Sequence, residues 1–395
     1  MPLFFWWGYL GLSWVLYVVA VPLLLALSCK RKYRHSIPAR FFLWRNPRPK
    51  DCDVWLHACS LGEVKSLEPL IKALKSERIL LSVITQTGFN EAKRLYPDIQ
   101  VAFLPFEPFL PFWSPACKYL GVVEAELWFG LFHTAKQRGA KTLLLSARLS
   151  LRSYPKYFAM RFFYERFFRC VDEVLAQRAE DSERFMSLGA QSVHIVGNLK
   201  LSNHPIPTRT LPKPKQPLFI AASTHEGEEE LILEAFSALN FPYRLALVPR
   251  HPERFGAVWQ LLVSRKGQKK VARLSENPSD LWEAQWLLVD KMGELNNFYA
   301  IADVVILGGS FFPIGGHNPL ESAYFGCKLL SGIYVYNQLA LFECIEGYRL
   351  IDAKLLSSYL ADFDKLPNSK IVGKPLELDT LLAFFTPSSK DSHTK

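Results

Sequence analysis

A series of short, unbroken apolar runs limits the folds open to this chain more than any other feature. Residues 53–58, 79–84, 119–123 and 142–145 form one series, and residues 218–222, 244–248, 286–289 and 304–307 form a second. A strand that is apolar on both faces has to be covered on both faces, and strands separated by helical stretches pair in parallel. Helical periodicity predicts helices over residues 66–74 and from Asn90 onward. Between the two series, residues 199–217 hold five prolines in a mostly polar setting, the composition of a linker. The expected fold class is therefore α/β. It consists of two Rossmann-like, doubly wound domains, residues 30–198 and 218–395, with ligands bound in a cleft at the strand C-termini. A last helix that packs back on the first domain is compatible with this division. At 395 residues the chain is long enough for two such domains.

Residues 1–29 carry no charged side chain, and Lys30, Arg31, Lys32, Arg34 and His35 follow at once. About 20 apolar residues suffice to cross a bilayer. A cleavable signal peptide would carry its positive charge ahead of the apolar stretch. Charge placed after it puts the remainder of the chain on the cytoplasmic side. Residues 1–29 are accordingly read as a membrane anchor, with Trp6, Trp7, Trp14 and Tyr17 suited to the interface and Pro22 as a site for a kink. An in-plane helix is disfavoured because the segment has no polar face.

A net charge of +10 favours an anionic partner, whether nucleic acid, acidic lipid or a phosphorylated substrate. Nucleic acid is not expected, since the basic residues are dispersed and show no zinc-finger, RNP or basic-zipper spacing. Seven cysteines, with no CxxC pair, fit a reducing compartment rather than a disulfide framework or a zinc site. GxGxxG, GxxxxGK[ST] and GxSxG are all absent, which argues against a dinucleotide dehydrogenase, a P-loop NTPase and an α/β-hydrolase.

Polar groups gather instead where the strands end. Ser60-Leu61-Gly62-Glu63 opens a helix after the first strand; it has capping-box spacing, and it also holds a carboxylate able to take a proton from a hydroxyl. Glu124 and Glu126 follow another strand, and Lys200 ends the run Gly197-Asn198-Leu199-Lys200. In the second series, Ser223-Thr224-His225 leads into an acidic run at Glu226, Glu228 and Glu229, read as a helix cap. Arg250 sits between Pro249 and Pro252, a firm mount for an anion-binding guanidinium. Gly308-Gly309-Ser310 and Gly315-Gly316-His317-Asn318-Pro319-Leu320-Glu321 place four glycines around a short apolar stretch. So much backbone freedom points to a chain that wraps closely about a ligand.

Taken together, SLGE at 60–63, the acidic pair before Leu127-Trp128, SARLSLRS at 146–153 and GNLK at 197–200 resemble the 3-deoxy-D-manno-octulosonic acid (Kdo) transferases. So do STHEGEE at 223–229, PRHPER at 249–254, GEL at 293–295 and GGHNPLE at 315–321. The resemblance implies a GT-B fold and an inverting transfer from CMP-Kdo to the 6′-hydroxyl of lipid IVA, the lipid A precursor, at the inner membrane. It implies no cofactor and no metal. By the same resemblance Glu63 corresponds to the general base, and Glu124 and Lys200 correspond to groups that stabilise the transition state. Glu124 and Glu126 remain interchangeable at this point. Pro249, Arg250, Met292, Gly293 and Glu294, with Asn318, Pro319, Leu320 and Glu321, match segments that hold CMP-Kdo. The chain departs from the pattern at Leu201-Ser202 and at Ser331-Gly332. Alternatives are a GT-B transferase or epimerase acting on another nucleotide sugar, or a membrane-anchored scaffold that retains an inactive transferase fold.

Overall fold

The structure, a computed structural model, describes residues 3–30, 33–74, 77–202, 204–276 and 281–386. Arg31 and Lys32 of the basic run lie outside the described residues. The chain divides into two compact units: Met1–Asn203 together with Gly373–Lys395, and His204–Val372.

In the first unit β1 (Val54–Ala58), β2 (Ile79–Val83), β3 (Gln100–Phe103), β4 (Tyr119–Val123), β5 (Lys141–Ala147), β6 (Glu173–Ala176) and β7 (Val193–Ile195) form one sheet. Its order is β3-β2-β1-β4-β5-β6-β7, and every pairing is parallel. Successive residues point to opposite faces of a strand. Trp55 and Leu120 accordingly join a core with Phe129, Phe132 and Phe167, while Val54, Leu56 and Val123 join another with Leu70 and Leu81. Two buried faces explain the unbroken apolar runs. The edge strands β3 and β7 are only partly buried, and the sequence gives little sign of them.

The helix expected at 66–74 begins earlier and is broken. Helices Leu61–Ser66 and Glu68–Ala73 meet at Leu67. Pro69, in the first turn of the second, has no N–H to continue the ladder and crowds the turn before it.

The second unit contains β8 (Leu218–Thr224), β9 (Arg244–Pro249), β10 (Val271–Arg273), β11 (Trp286–Leu288), β12 (Val304–Leu307), β13 (Lys328–Gly332), β14 (Ile345–Glu346), β15 (Tyr348–Ile351) and β16 (Lys370–Ile371). The sheet β10-β11-β9-β8-β12-β13-β15 is again parallel, and β14 pairs antiparallel with β16. Phe219, Leu245, Trp286 and Ile306 are fully buried within it.

The strand order reverses between β1 and β4 in one sheet and between β8 and β12 in the other. Loops that leave such a switch point diverge and open a crevice beyond the strand ends.

After Val372 the chain returns to the first unit. Asn198 N–H donates to the Lys374 carbonyl at 2.8 Å, and Leu376 N–H donates to the Asn198 carbonyl at 3.2 Å. Leu376, Leu381 and Phe385 enter the core that holds Leu56 and Val123. At the other end, Leu3–Ser28 is one helix that continues through Pro22, and its stretch Phe4–Ser28 is long and apolar enough to cross a membrane.

Candidate active site

The first cluster lies at the switch point of the first unit. Ser60, just after β1, caps helix Leu61–Ser66, its hydroxyl oxygen accepting the Glu63 N–H at 3.3 Å. The same hydroxyl donates to Glu63 Oε1 at 2.7 Å, and the Cys59 N–H donates to Glu63 Oε2 at 2.7 Å. The capping-box and functional readings therefore describe one arrangement: the bonds that start the helix also aim its carboxyl. Glu63 is 7% exposed. Burial, and then the neighbouring charge of Glu124, push its pKa up to about 7, against the opposing pull of Ser60, Cys59 and Lys200. Such a group is half-ionised near neutrality, the condition in which a carboxylate both accepts and releases a proton readily.

Glu124 follows β4 with φ at +60°, a left-handed conformation that a side chain other than glycine adopts at a cost of roughly 1–3 kcal/mol. Its carboxylate pairs with the Lys200 ammonium, and both side chains are largely buried. The structure separates the two acidic residues. Glu126 Oε2 accepts the Trp128 indole N–H at 2.9 Å, so Glu124 holds the lysine and Glu126 holds the loop.

Lys200 lies in the turn Leu199–Leu201, which is tied down from three sides. Asn198 Oδ1 accepts its N–H at 2.9 Å, and the Leu199 N–H donates to Ser146 Oγ at 3.0 Å. The third tie is the strap at Lys374–Leu376, through its two bonds to Asn198. Ser146 itself has φ at +50°, beside a register shift between β5 and β6. Beneath the cluster, His57 is fully buried with Nδ1 2.9 Å from Ser82 Oγ, and burial lowers its pKa to about 3, so it stays neutral.

The second cluster lies beyond the C-terminal ends of β8, β9 and β11 in the other sheet. Pro249, Arg250, Met292, Gly293 and Glu294 gather around one small depression, together with Ser223. Arg250 is exposed, and its N–H donates to the Thr224 carbonyl at 3.0 Å. Glu294 Oε2 accepts Arg209 Nε at 3.1 Å, Arg209 Nη2 at 2.9 Å and Asn297 Nδ2 at 2.8 Å. Asn318, Pro319, Leu320 and Glu321 do not line that depression. They form the start of helix Leu320–Tyr324, where Asn318 Oδ1 accepts the Leu320 N–H at 3.0 Å and Nδ2 reaches Glu321 Oε1 at 3.3 Å.

The glycine loop after β12 wraps closely, as its composition suggests, but it wraps about a side chain of the protein. Glu228 Oε2 accepts the N–H groups of His225 at 2.9 Å and Gly309 at 2.7 Å. Its Oε1 accepts those of Ser310 and Phe311, each at 3.0 Å. A Cβ on Gly308 would stand 2.6 Å from the Ser223 carbonyl oxygen, and Gly309 has φ at +67°. Both positions therefore need glycine for the loop to reach the carboxyl.

The acidic run at 228–229 does stand in the first turn of helix Glu228–Ser237, where Glu228 accepts the His225 N–H, and it adds longer-range bonds to that capping position. Glu229, also fully buried, takes both guanidinium nitrogens of Arg254 at 3.1 Å and the Thr224 hydroxyl at 2.8 Å. This pair links the STHEGEE and PRHPER stretches structurally, a role that neither stretch shows when read alone. Nearby, His225 Nε2 and His317 Nε2 lie 2.8 Å apart, with the His251 ring edge-on to His225 at 5.2 Å. Among the described residues no group of three His, Cys, Asp or Glu side chains is arranged to hold a metal ion.

The sequence profile of the family described as 3-deoxy-D-manno-octulosonic-acid transferase (kdotransferase) matches residues 35–203. The 3-deoxy-D-manno-octulosonic acid transferase of Haemophilus influenzae is 33% identical over 360 residues, covering 84% of this chain and 83% of its own. That of Bordetella pertussis is 33% identical over 336 residues, covering 76% of each. Among solved structures, the C-terminal CMP-Kdo binding domain of WaaA from Acinetobacter baumannii is 28% identical. It covers 43% of this chain and 87% of that domain, with a TM-score of 0.34. Two parallel-sheet α/β units of the GT-B kind, in a chain with these relatives, define a glycosyltransferase. The chain belongs to the Kdo transferase family.

Proposed function

We propose that the protein transfers Kdo from CMP-Kdo to the 6′-hydroxyl of the lipid A precursor lipid IVA, with inversion at the anomeric carbon. The Glu63 carboxyl carries the reading: it is buried, poised near pH 7 and held by two bonds that leave it able to take another proton. Glu63 removes the hydroxyl proton as the acceptor oxygen bonds to the anomeric carbon of Kdo. The bond from that carbon to the phosphate oxygen of CMP breaks on the opposite face, and CMP departs with the electron pair. Lys200, kept oriented by Glu124, supplies positive charge where negative charge develops.

Arg250, Met292, Gly293 and Glu294 hold the nucleotide, with Pro249 fixing the guanidinium after β9. Asn318, Pro319, Leu320 and Glu321 hold the Kdo or ribose side of the donor. Because the acceptor stays in a membrane, the reaction belongs at the cytoplasmic face of the inner membrane, in the building of the lipopolysaccharide inner core.

The test is to incubate the detergent-solubilised protein with CMP-Kdo and tetraacylated lipid A precursor, and to follow the lipid by mass spectrometry. Gains of whole Kdo units that vanish in Glu63→Ala support the reading and count the sugars added. Folded protein that gives no gain overturns it, and competition binding with CMP and UDP then identifies the nucleotide sugar.

A further inference from the structure

The helix Leu3–Ser28 is apolar all round, yet its two sides have different surroundings. Trp6, Ser13 and Leu24 are buried, and Phe5, Tyr9, Trp14 and Tyr17 are partly buried. These positions recur at the three- and four-residue spacing of one helix face. Trp6 stacks on His133 at 4.1 Å, Tyr9 meets Phe129 edge-on at 4.8 Å, Trp14 meets Phe109 at 5.3 Å, and the Tyr17 hydroxyl donates to the Phe41 carbonyl at 2.7 Å. All these partners belong to the first unit. On the opposite side Phe4, Trp7, Val15, Val18, Val19 and Leu23 are each more than half exposed.

From Phe5 to Leu24 the docked side extends about 28 Å at 1.5 Å per residue, close to the roughly 30 Å of a bilayer's hydrocarbon. An upright helix would therefore carry its docked partners to hydrocarbon depth. Among them would be His133, the Arg166 guanidinium 5.3 Å over Phe5, and the turn Glu107–Phe109 with its buried carboxyl. A charged group at the bilayer centre costs about 2.5–3.5 kcal/mol or more.

We propose that this helix lies flat in a single leaflet, roofed by the first unit on one side and by acyl chains on the other, so that both its ends face the same side of the membrane. An isolated in-plane helix needs a polar face. Here the first unit takes the place of that face, so the objection raised by the sequence does not hold.

The surface continues on both sides. Phe158, Met160 and Phe162 are exposed, with Arg161 5.6 Å over Phe158 and Arg166 3.5 Å over Phe162, rings and guanidinium groups suited to the headgroup boundary. Beyond the C-terminal end of the helix, Arg34, Arg45, Arg48, Lys50 and Lys93 line a cavity of about 960 Å³ with Trp44 at its wall and no carboxylate among its lining residues. Such a cavity suits anionic headgroups.

Two measurements on the full-length protein test this. Hydrophilic epitopes joined ahead of Met1 and after Lys395 are exposed to protease in sealed inside-out vesicles; loss of both is expected, and survival of the leading epitope alone overturns the proposal. Spin labels at Trp7→Cys, Val15→Cys and Leu23→Cys in liposomes containing phosphatidylglycerol then report depth. Equal, shallow depths at all three support the flat helix, whereas a maximum at Val15→Cys overturns it. Neither readout depends on which sugar is transferred.

Discussion

Glu63 and Glu228 occupy corresponding places in their sheets, and they differ in what they lack. Each sits in the first helical turn after the strand on one side of a switch point, and each is turned toward the switch-point region. Glu228 is fully buried and accepts four backbone N–H groups, three of them from the opposite loop. Glu63 has one backbone N–H and one hydroxyl, and faces a second carboxylate and a lysine rather than a ring of donors. A carboxyl with all its bonds made locks two loops together. One with bonds left open, in a site that resists its charge, is available for chemistry.

The comparison breaks most visibly at Glu228. Glu228→Ala strands three buried donors and a fourth that is partly buried, each buried one worth about 1–3 kcal/mol when unpaired. Urea unfolding should show a loss on the order of 4 kcal/mol or more; a loss below about 1 kcal/mol would mean that the loop does not need its latch. Glu63→Gln should do the opposite, lowering kcat by about 10²–10⁴-fold without lowering the urea midpoint. Lys200→Met should lower kcat by about 10²-fold, since it removes the cation and leaves Glu124 unpaired. An unchanged kcat would confine the pair to a structural role.

The pH dependence sharpens the contrast further. Glu63 serves as a base only when ionised, so kcat should rise with pH, fall about tenfold per unit below pH 7, and level off above it. Its folded-state pKa is raised above the unfolded value of about 4.3. Its stabilising contribution is therefore complete below that value and is lost as pH rises through about 7. Glu63→Gln should flatten that part of the stability profile, as read by urea midpoints between pH 5 and 8. The smallest effect is expected at Arg209→Ala, which removes two of the three bonds holding Glu294 at the depression proposed for the nucleotide; a few-fold rise in the KM for donor, with kcat unchanged, is the outcome to look for.

Much of this was legible in the sequence, for physical reasons that also account for what was not. The central strands announce themselves because both their faces are buried, as at Trp55 and Leu56, whereas β7 has two exposed residues out of three and announces nothing. The carboxylates and the lysine stand out because a charged side chain at the end of an apolar strand adds nothing to the core. The role of Glu228 was hidden because three of its four donors lie 81–83 residues away in the chain. The glycines at 308–309 signal close wrapping but carry no mark of what is wrapped. Likewise the docked and exposed sides of the first helix are built from the same residue types, so only their neighbours tell them apart.

The strap at Lys374–Leu376 has a consequence for the order in which the protein is made. Ribosomal synthesis delivers Lys200 long before residues 374–376, with the whole second unit translated in between. The turn that aims the lysine is therefore finished only after the second unit has emerged. A nascent chain that stops short of the strap carries Glu63, Glu124 and Lys200 without the last clasp, so this cluster is completed only after the second unit has been made.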